Sequence, residues 1–218
     1  MGRVMLVRHG QTDDNVSGRI TGQGQAPLNT RGQEQARLAG DALASLGVTH
    51  LVSSPVARAR QTADIMNERL QLEIAENADL REVGYGDWEG KHFNNIRNDP
   101  LYKVVTQNPL AAVFPNGESL LGVQERAVRV IEGVRRDPNL DVAVLVAHGD
   151  TLRTALAHYL GLTFNDYRRI NLDNGSISVV DFCGDRSRVK AVNFTPKVGD
   201  LDLKAFCETW LKTQTLVT

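Results

Sequence analysis

The 218-residue chain has little cysteine, little net charge and no long apolar run. Its two cysteines, Cys183 and Cys207, are too few and too far apart for a disulfide framework, which favours a reducing, cytoplasmic setting. The formal net charge is −1 and no run of like charges occurs, so nucleic acid is not an expected partner. The apolar stretch before Arg8 is too short for a signal peptide, and the longest apolar run, residues 142–147, is too short to cross a membrane.

The composition that remains is that of an ordinary globular protein, with 41% hydrophobic and 23% charged residues. The length suits one sizeable domain, so we expect residues 1–218 to form a single unit. Near the C-terminus Leu203, Phe206, Trp210 and Leu211 recur at helical spacing. Residues 201–218 are therefore predicted to form a helix that packs on the core or, alternatively, forms a dimer seam, which leaves a monomer or a homodimer open.

Short apolar strands alternate with amphipathic helices along most of the chain. Thr30 with Gln33 has capping-box spacing, and Ser54-Pro55 predicts an N-cap followed by proline in the first helical turn. The three prolines of residues 92–117 argue against one long helix there. The pattern predicts strands at 4–7, 51–53 and 142–147, helices from 30, at 55–70, 118–136 and 151–160, a loop at 13–29, and a hairpin of 176–182 with 188–194. This alternation indicates an α/β fold, a three-layer α/β/α sandwich with a mainly parallel central sheet.

Two of the predicted strands end in a histidine followed by a glycine. His9-Gly10 follows the first strand, and His148-Gly149 follows the strand at 142–147. Ligands bind beyond the carboxyl ends of the strands in open α/β sheets, so both histidines are expected at one edge of the sheet. A single histidine after a strand is usually structural, but the pair indicates a functional site.

The residues around this pair suit phosphoryl transfer. The charge on a phosphoryl group in transit is stabilised by fixed cations and donors, and Arg8 and Arg58 are candidates for such a clamp. Arg58 is predicted in the first turn of a helix, where free backbone N–H groups also favour anions. A neutral imidazole is a competent nucleophile toward phosphorus, and Gly10 permits a sharp turn and close approach of a phosphate beside His9.

A general acid must protonate the leaving group, and in the second half-reaction the same group activates water. Glu82 lies in a glycine-flanked loop and is the candidate for this role, with Glu76 and Glu89 as rivals. Two other features have structural interpretations. Trp88 is predicted to be a packing anchor. Asn174-Gly175 is predicted to be a turn before a strand, with closure of one side of the pocket as the alternative.

Several segments, taken in order, resemble those of the histidine phosphatase superfamily, also called the phosphoglycerate mutase-like family. The resemblance covers roughly residues 4–160, and the ordered series is far more specific than Arg-His-Gly alone. It rests on Leu6-Val7-Arg8-His9-Gly10-Gln11-Thr12, Asn15, Thr21-Gly22, Pro27-Leu28, Gly32, Ser53-Ser54-Pro55 with Arg58 and Ala59, Leu80-Arg81-Glu82, Gly86-Asp87-Trp88-Glu89-Gly90, Pro115-Asn116-Gly117-Glu118-Ser119 and Val146-Ala147-His148-Gly149.

This resemblance implies a phosphoglycerate mutase-like fold and a role for each matched residue. His9 is the expected phosphoryl acceptor and Glu82 the proton donor, while Arg8, Arg58 and His148 complete the phosphate pocket. The resemblance places Asn15 on the phosphate and Thr21, Gly22 and Gly149 on the phosphate or substrate side. It also implies chemistry without a metal or another cofactor, on a small phosphorylated metabolite.

Hydrolysis is favoured over mutase activity by two features of the sequence. The mutase branch usually carries Glu where Gln11 stands, and it has a longer central insertion with an adjacent arginine pair for the substrate carboxylate. Residues 92–117, the expected substrate-side insertion, contain only Arg97 and Lys103 as cations. We therefore expect a phosphatase of small phosphate monoesters. A cofactor-dependent phosphoglycerate mutase is the alternative, and a non-catalytic phospho-ligand-binding protein the remaining one, while the substrate itself stays open.

Overall fold

The computed structural model describes residues 2–197, except 138 and 140. The strands are β1 (Gly2–Arg8), β2 (His50–Ser53), β3 (Ile74–Glu76), β4 (Val142–Ala147), β5 (Ile177–Cys183) and β6 (Arg186–Phe194). The helices are α1 (Asp13–Ser17), α2 (Thr30–Leu43), α3 (Ala57–Leu70), α4 (Phe93–Ile96), α5 (Pro100–Gln107), α6 (Leu120–Arg135) and α7 (Gly149–Tyr159). Short 3-10 turns occur at Ala78–Leu80, Gly86–Trp88, Pro109–Ala111 and Phe164–Arg169. The helix predicted for residues 201–218 lies outside the described residues.

One six-stranded sheet runs in the order β3-β2-β4-β1-β5-β6. The four strands β3, β2, β4 and β1 pair in parallel, whereas β5 pairs antiparallel with β1 and then with β6. The predicted α/β class with a mainly parallel sheet is confirmed, and so is the predicted hairpin. The register of β1 on β4 pairs Arg8 with Ala147, which brings the two strand ends level with each other.

Each face of the sheet is covered by helices, which gives the three predicted layers. Val4 and Leu6 of β1 pack in a core cluster with apolar residues of α6 and α7. Met5 and Val7 point to the opposite face and pack with residues of α2 and α3. Successive side chains of a strand alternate between faces, so an unbroken apolar run such as residues 4–7 suits a strand buried on both sides. No helix among the described residues has the length and apolarity needed to span a membrane.

The helix starts differ from the predictions in detail. Asn29, not Thr30, caps α2, because its side chain accepts a hydrogen bond from Gly32 N at 2.9 Å. Val56 precedes α3 without a side-chain cap, so Ser54 is not an N-cap and Pro55 lies outside the helix. The cap of α6 is Ser119, which places the start of this helix at Leu120.

Two short elements were missed, and one helix begins earlier than predicted. Helix α1 lies within residues 13–29, which were predicted as a loop, and strand β3 is only three residues long. Both are below the length at which hydrophobic periodicity can be read. Helix α7 begins at Gly149 rather than at Thr151, so His148 is its N-cap residue. The first turn of α7 therefore starts directly behind that histidine.

Candidate active site

The two histidines predicted to share an edge of the sheet lie side by side. Their ring centroids are 5.1 Å apart and the rings are tilted by 58°. His9 is 2% exposed and His148 is fully buried. The parallel pairing of β1 with β4 produces this proximity, because each histidine follows the last residue of its strand.

The protonation state of His9 follows from its two ring contacts. Its Nδ1 lies 2.7 Å from Gly10 O, and its Nε2 lies 3.0 Å from Arg58 Nε. A guanidinium only donates, so Nε2 accepts and Nδ1 carries the hydrogen that is donated to the carbonyl. Burial, together with the positive charges of Arg58 and Arg8, holds the pKa of His9 well below its usual 6.5. His9 is thus a neutral imidazole with its lone pair on Nε2.

Arg58 lies in the first turn of α3, as predicted, and its guanidinium reaches back across the site. Besides His9, its amino groups donate to Gly24 O at 2.9 Å and Gly22 O at 2.7 Å. The side chain is 2% exposed. The loop of residues 22–24 therefore positions Arg58, and Gly22, which was expected on the substrate side, contributes its carbonyl to this contact.

Arg8 and His148 each present a buried N–H that meets no acceptor among the described residues. Arg8 donates from Nη1 to Leu172 O, while its Nε has no partner. His148 Nε2 lies 2.8 Å from Ser54 Oγ, which itself accepts from Val56 N at 3.3 Å. The Ser54 hydroxyl has no other acceptor among the described residues, so its hydrogen is assigned to His148 Nε2, which leaves the ring hydrogen on the unpartnered Nδ1. Buried donors without partners are rare, and here they mark a place for an anion.

The ring of His148 is also neutral in this arrangement. Burial lowers its pKa well below 6.5, and the positive charge of Arg58 lowers it further. His148 is not among the residues that line the cavity described below, and its ring lies against that of His9.

Glu82 lies at the N-terminus of α7. Its carboxylate accepts hydrogen bonds from Thr151 N at 3.2 Å, Thr151 Oγ at 3.1 Å and Asp150 N at 3.4 Å. Glu82 lines the cavity, whereas its rivals do not: Glu76 pairs with Arg60 on the surface, and Glu89 accepts from backbone N–H groups. Of the three candidate acids, Glu82 is therefore the one that can reach a ligand bound in the cavity.

The loop that carries Glu82 is held by Arg126, which sequence reasoning missed. Arg126 donates to Asp79 O at 2.7 Å, Arg81 O at 2.6 Å and Glu82 O at 3.0 Å. It also binds both carboxylate oxygens of Glu118, each at 3.0 Å. The only signal in the sequence was Glu118 within its Pro-Asn-Gly-Glu-Ser segment, because Arg126 itself looks like any helix arginine.

Asn15 and Thr21 line the cavity, as expected, but each is already engaged. Asn15 Oδ1 accepts from Thr12 N and from Asn174 Nδ2, both at 3.1 Å. Asn174 Nδ2 also lies 3.2 Å from His9 O, so the turn predicted there contacts the backbone of His9 and does not line the cavity. Thr21 donates its hydroxyl to Asp14 Oδ2 at 2.9 Å.

The role expected for Gly10, to let a phosphate approach closely, is replaced by a backbone contact. A Cβ on Gly10 would lie 2.3 Å from Gly32 O, so the loop after β1 packs directly on the first turn of α2. Gly149 has the open position instead: a Cβ there would lie 3.5 Å from Arg8 Nε and 3.7 Å from Glu82 Oε2. The space above Gly149 thus borders both the cation and the carboxylate.

These residues surround one cavity of about 220 Å³. Residues 92–117 form much of an apolar wall opposite the histidine, and Trp88 joins it while its Nε1 donates to Asp99 Oδ2 at 2.9 Å. The apolar and aromatic residues of this wall are Ile20, Trp88, Phe93, Ile96, Tyr102, Val105 and Phe114. We call this wall, together with the polar residues Arg19, Tyr85, Asp150, Arg153 and Arg168, the outer end of the cavity. Sequence reasoning had considered Tyr85 but favoured a structural role for it, and had assigned no site role to the other four.

No group of three or more His, Cys, Asp or Glu side chains in the described part of the chain is arranged to hold a metal ion. The positive groups at the site are arginines, and a guanidinium keeps its proton at any physiological pH. Fold and site together have the arrangement of a phosphoryl-transfer enzyme with a buried, neutral histidine.

The sequence profile of the histidine phosphatase superfamily (branch 1) matches residues 4–195. The chain belongs to this superfamily. Among its curated relatives, it is 34% identical over 182 residues to a probable phosphoglycerate mutase GpmB of Citrobacter koseri, a match that covers 83% of this chain and 85% of the relative.

Solved structures with the same fold include phosphatases. The mycobacterial glucosyl-3-phosphoglycerate phosphatase is 29% identical, with a TM-score of 0.81 over 90% of this chain and 100% of that one. A putative alpha-ribazole-5'-P phosphatase of Escherichia coli is 25% identical, with a TM-score of 0.81 over 89% of this chain and 97% of that one. The names of these similar proteins thus include both a mutase and phosphatases.

Proposed function

We propose that this protein is a metal-independent phosphatase that hydrolyses a small phosphate monoester through a phosphohistidine on His9. The observation that carries the proposal is the state of His9, a neutral ring with Nε2 as acceptor, beside the unpartnered N–H groups of Arg8 and His148. A nucleophile with an available lone pair thus lies next to donors that suit phosphoryl oxygens. We further propose a cytoplasmic monomer or homodimer.

In the first half-reaction, His9 Nε2 attacks the phosphorus, the N–P bond forms and the bond to the leaving oxygen breaks. Glu82 gives its proton to the leaving alkoxide, so that an alcohol departs. Arg58 Nε donates to the attacking nitrogen in the ligand-free site, so a bound phosphoryl oxygen has to take over this N–H. Arg8, Arg58 and the Nδ1–H of His148 then stabilise the charge of the three equatorial oxygens.

In the second half-reaction, the same carboxylate takes a proton from water as the water oxygen attacks phosphorus. The N–P bond breaks, the electron pair returns to His9 Nε2, and inorganic phosphate leaves with Glu82 protonated again. The contacts that hold Glu82 at the start of α7 support this double role, because they fix the carboxylate while it changes from acid to base.

A phosphoglycerate mutase is the second candidate, because the curated relatives that match carry that name. Against it stand Gln11 in place of the usual Glu and the absence of an arginine pair from residues 92–117. Incubation with 3-phosphoglycerate separates the two: net release of phosphate supports the phosphatase, and formation of 2-phosphoglycerate without phosphate release supports the mutase.

The test of the proposed chemistry is His9→Ala assayed with para-nitrophenyl phosphate in the presence of a chelator. We expect the wild-type protein to stay active and the variant to lose about 10⁴-fold or more in kcat, as for other removed nucleophiles. Denaturation of the wild type in alkali during turnover of labelled substrate should leave phosphate on His9. His158→Ala, a change of an exposed helix residue, is the control. Full activity of His9→Ala would refute the proposal.

A further inference from the structure

The outer end of the cavity carries two arginines that the phosphoryl-transfer chemistry does not use. Arg153 projects from α7, one turn after the His148-Gly149 segment, and Arg168 belongs to the 3-10 turn Phe164–Arg169. Both line the same cavity as His9 and Glu82. They come from the segment after β4, so the cations at this end are not supplied by residues 92–117.

The carboxylate of Asp150 interacts with both guanidinium groups, by a hydrogen bond with Arg153 and through charge with Arg168. Arg153 Nη1 donates to Asp150 Oδ1 at 2.8 Å, and Tyr85 OH donates to Asp150 Oδ2 at 2.7 Å. Burial alone would raise the pKa of Asp150, but the charges of Arg153 and Arg168 outweigh it and lower this pKa. Both oxygens of Asp150 are therefore engaged already, by Arg153 and Tyr85, and neither is hydrogen-bonded to Arg168.

Arg168 has no hydrogen bond or ion pair of its own within the described residues. Its guanidinium lies 6.0 Å from the centroid of the Tyr167 ring, and its side chain is exposed at the cavity. Arg19, the other arginine at this end, is different: it contacts Asp14 at 3.7 Å and donates to Gly90 O at 2.9 Å. The unused donors at the outer end thus belong mainly to Arg168, with the remaining Nη2 of Arg153 beside it.

We propose that Arg153 and Arg168 bind a second anionic group of the substrate, a carboxylate or a second phosphoryl group. This inference rests on the proposed function, since it names the class of phosphate monoester that the site takes. Planar guanidinium groups form bidentate hydrogen bonds with carboxylates and with phosphoryl groups, so the same two arginines suit either anion. The cavity is small, which fits a compact metabolite that carries both anions.

Matched substrate pairs test the proposal directly. 3-Phosphoglycerate and glycerol 3-phosphate differ only in a carboxylate against a hydroxymethyl group, and propane-1,3-diol bisphosphate and its monophosphate differ in a second phosphoryl group. In at least one pair, we expect kcat/KM to be about 10-fold to 100-fold higher for the member that carries the second anionic group, which is the range that a charge-assisted hydrogen bond provides. In Arg168→Ala this ratio should fall by about 10-fold or more, and Arg168→Lys should restore part of it.

Arg169→Ala is the control, because Arg169 is the adjacent residue, is exposed, contacts Asp166 at 3.5 Å and does not line the cavity. It should leave both ratios unchanged. Arg153→Ala is a second variant, and its ratio should fall as well. A fall confined to the bisphosphate pair would identify the second group as phosphoryl, and one confined to 3-phosphoglycerate would identify a carboxylate.

Two negative results have different meanings. If the wild type hydrolyses para-nitrophenyl phosphate but neither arginine variant changes either ratio by more than about two-fold, this inference is overturned and the proposed function stands. If the wild type hydrolyses no ester at all, the proposed function fails and this inference fails with it.

Discussion

The two ends of the cavity are built in different ways. The inner end is the part around His9 and Arg58, with His148 against the ring of His9. These three residues are buried, and they lie just after the ends of strands or in the first turn of a helix that packs on the sheet. At the outer end, Phe93, Tyr102 and Arg168 come from short helices and a 3-10 turn, and their side chains are partly or fully exposed.

This difference separates chemistry from selectivity. At the inner end, hydrogen bonds fix His9, Arg58 and Glu82, while Arg8 Nε and His148 Nδ1 are left without a partner. Fixed groups with unused donors suit the preorganisation that phosphoryl transfer requires. At the outer end, the side chains of Phe93, Tyr102 and Arg168 make no hydrogen bond within the described residues, so a substrate meets fewer fixed groups there. Changes at the inner end should therefore act on kcat and on stability, and changes at the outer end on the choice of substrate.

Of the predicted effects on the two ends of the cavity, the largest is the loss of activity in Glu82→Gln at the inner end. The amide cannot protonate an alkoxide, so kcat/KM for an alkyl phosphate, which reports the first half-reaction, should fall about 10³-fold, within the range for a lost general acid. Para-nitrophenyl phosphate should suffer much less, because its phenolate leaves without a proton. Steady-state assays with both esters measure the difference. Glu76→Gln, an exposed rival carboxylate, is the control, and an equal loss on both esters would argue against the role as acid.

A smaller effect is expected from Arg126→Met, behind the inner end. The change removes five hydrogen bonds, to the Glu118 carboxylate and to three loop carbonyls, so the free energy of unfolding should fall by about 3 kcal/mol. Glu82 should lose its alignment, so the rate on alkyl phosphates should fall more than the rate on para-nitrophenyl phosphate. Denaturant titration and the two assays measure these effects.

Arg129→Met is the matched control for this prediction, since Arg129 is one turn further along α6, exposed, and paired with Asp79 at 3.1 Å. The control should change stability by less than about 1 kcal/mol. Adding Glu118→Gln to Arg126→Met should recover part of the lost stability, because the partly buried charge that has lost its ion-pair partner is removed. A loss of stability with an unchanged ratio of the two rates would make Arg126 purely structural.

The smallest effect concerns pH. Burial lowers the pKa of both His9 and His148 well below 6.5 in the folded state. Below about pH 6.5 the unfolded chain binds protons that the folded chain does not, so the free energy of unfolding decreases as the pH falls. Each histidine contributes up to about 1.4 kcal/mol per pH unit.

Unfolding free energies measured between pH 7.5 and 5 should show a steeper slope for the wild type than for His9→Gln or His148→Gln. His158→Gln should keep the wild-type slope, because His158 is exposed. Identical slopes in all four proteins would show that the two buried rings do not titrate as their surroundings imply.

Most of the fold and the inner end of the site were predictable from the sequence. The unbroken apolar runs at residues 4–7 and 142–147 indicate buried strands, and a histidine after each marks the carboxyl edge. Helix caps were less predictable, because Asn29 and Thr30 are both good capping residues and only the backbone conformation selects one. Strand β3 is too short to be read, since it depends on its pairing with β2.

The sequence by itself determined the order of strands and helices, the Arg8-His9-Gly10 segment and the pairing of two histidines, because these depend on local pattern and on parallel strand geometry. Only the tertiary structure decided that Arg126 holds the Glu82 loop and that Arg153 and Arg168 share the cavity with His9. These contacts join residues far apart in the chain, and a helix arginine has the same local pattern whether it faces solvent or a buried carbonyl.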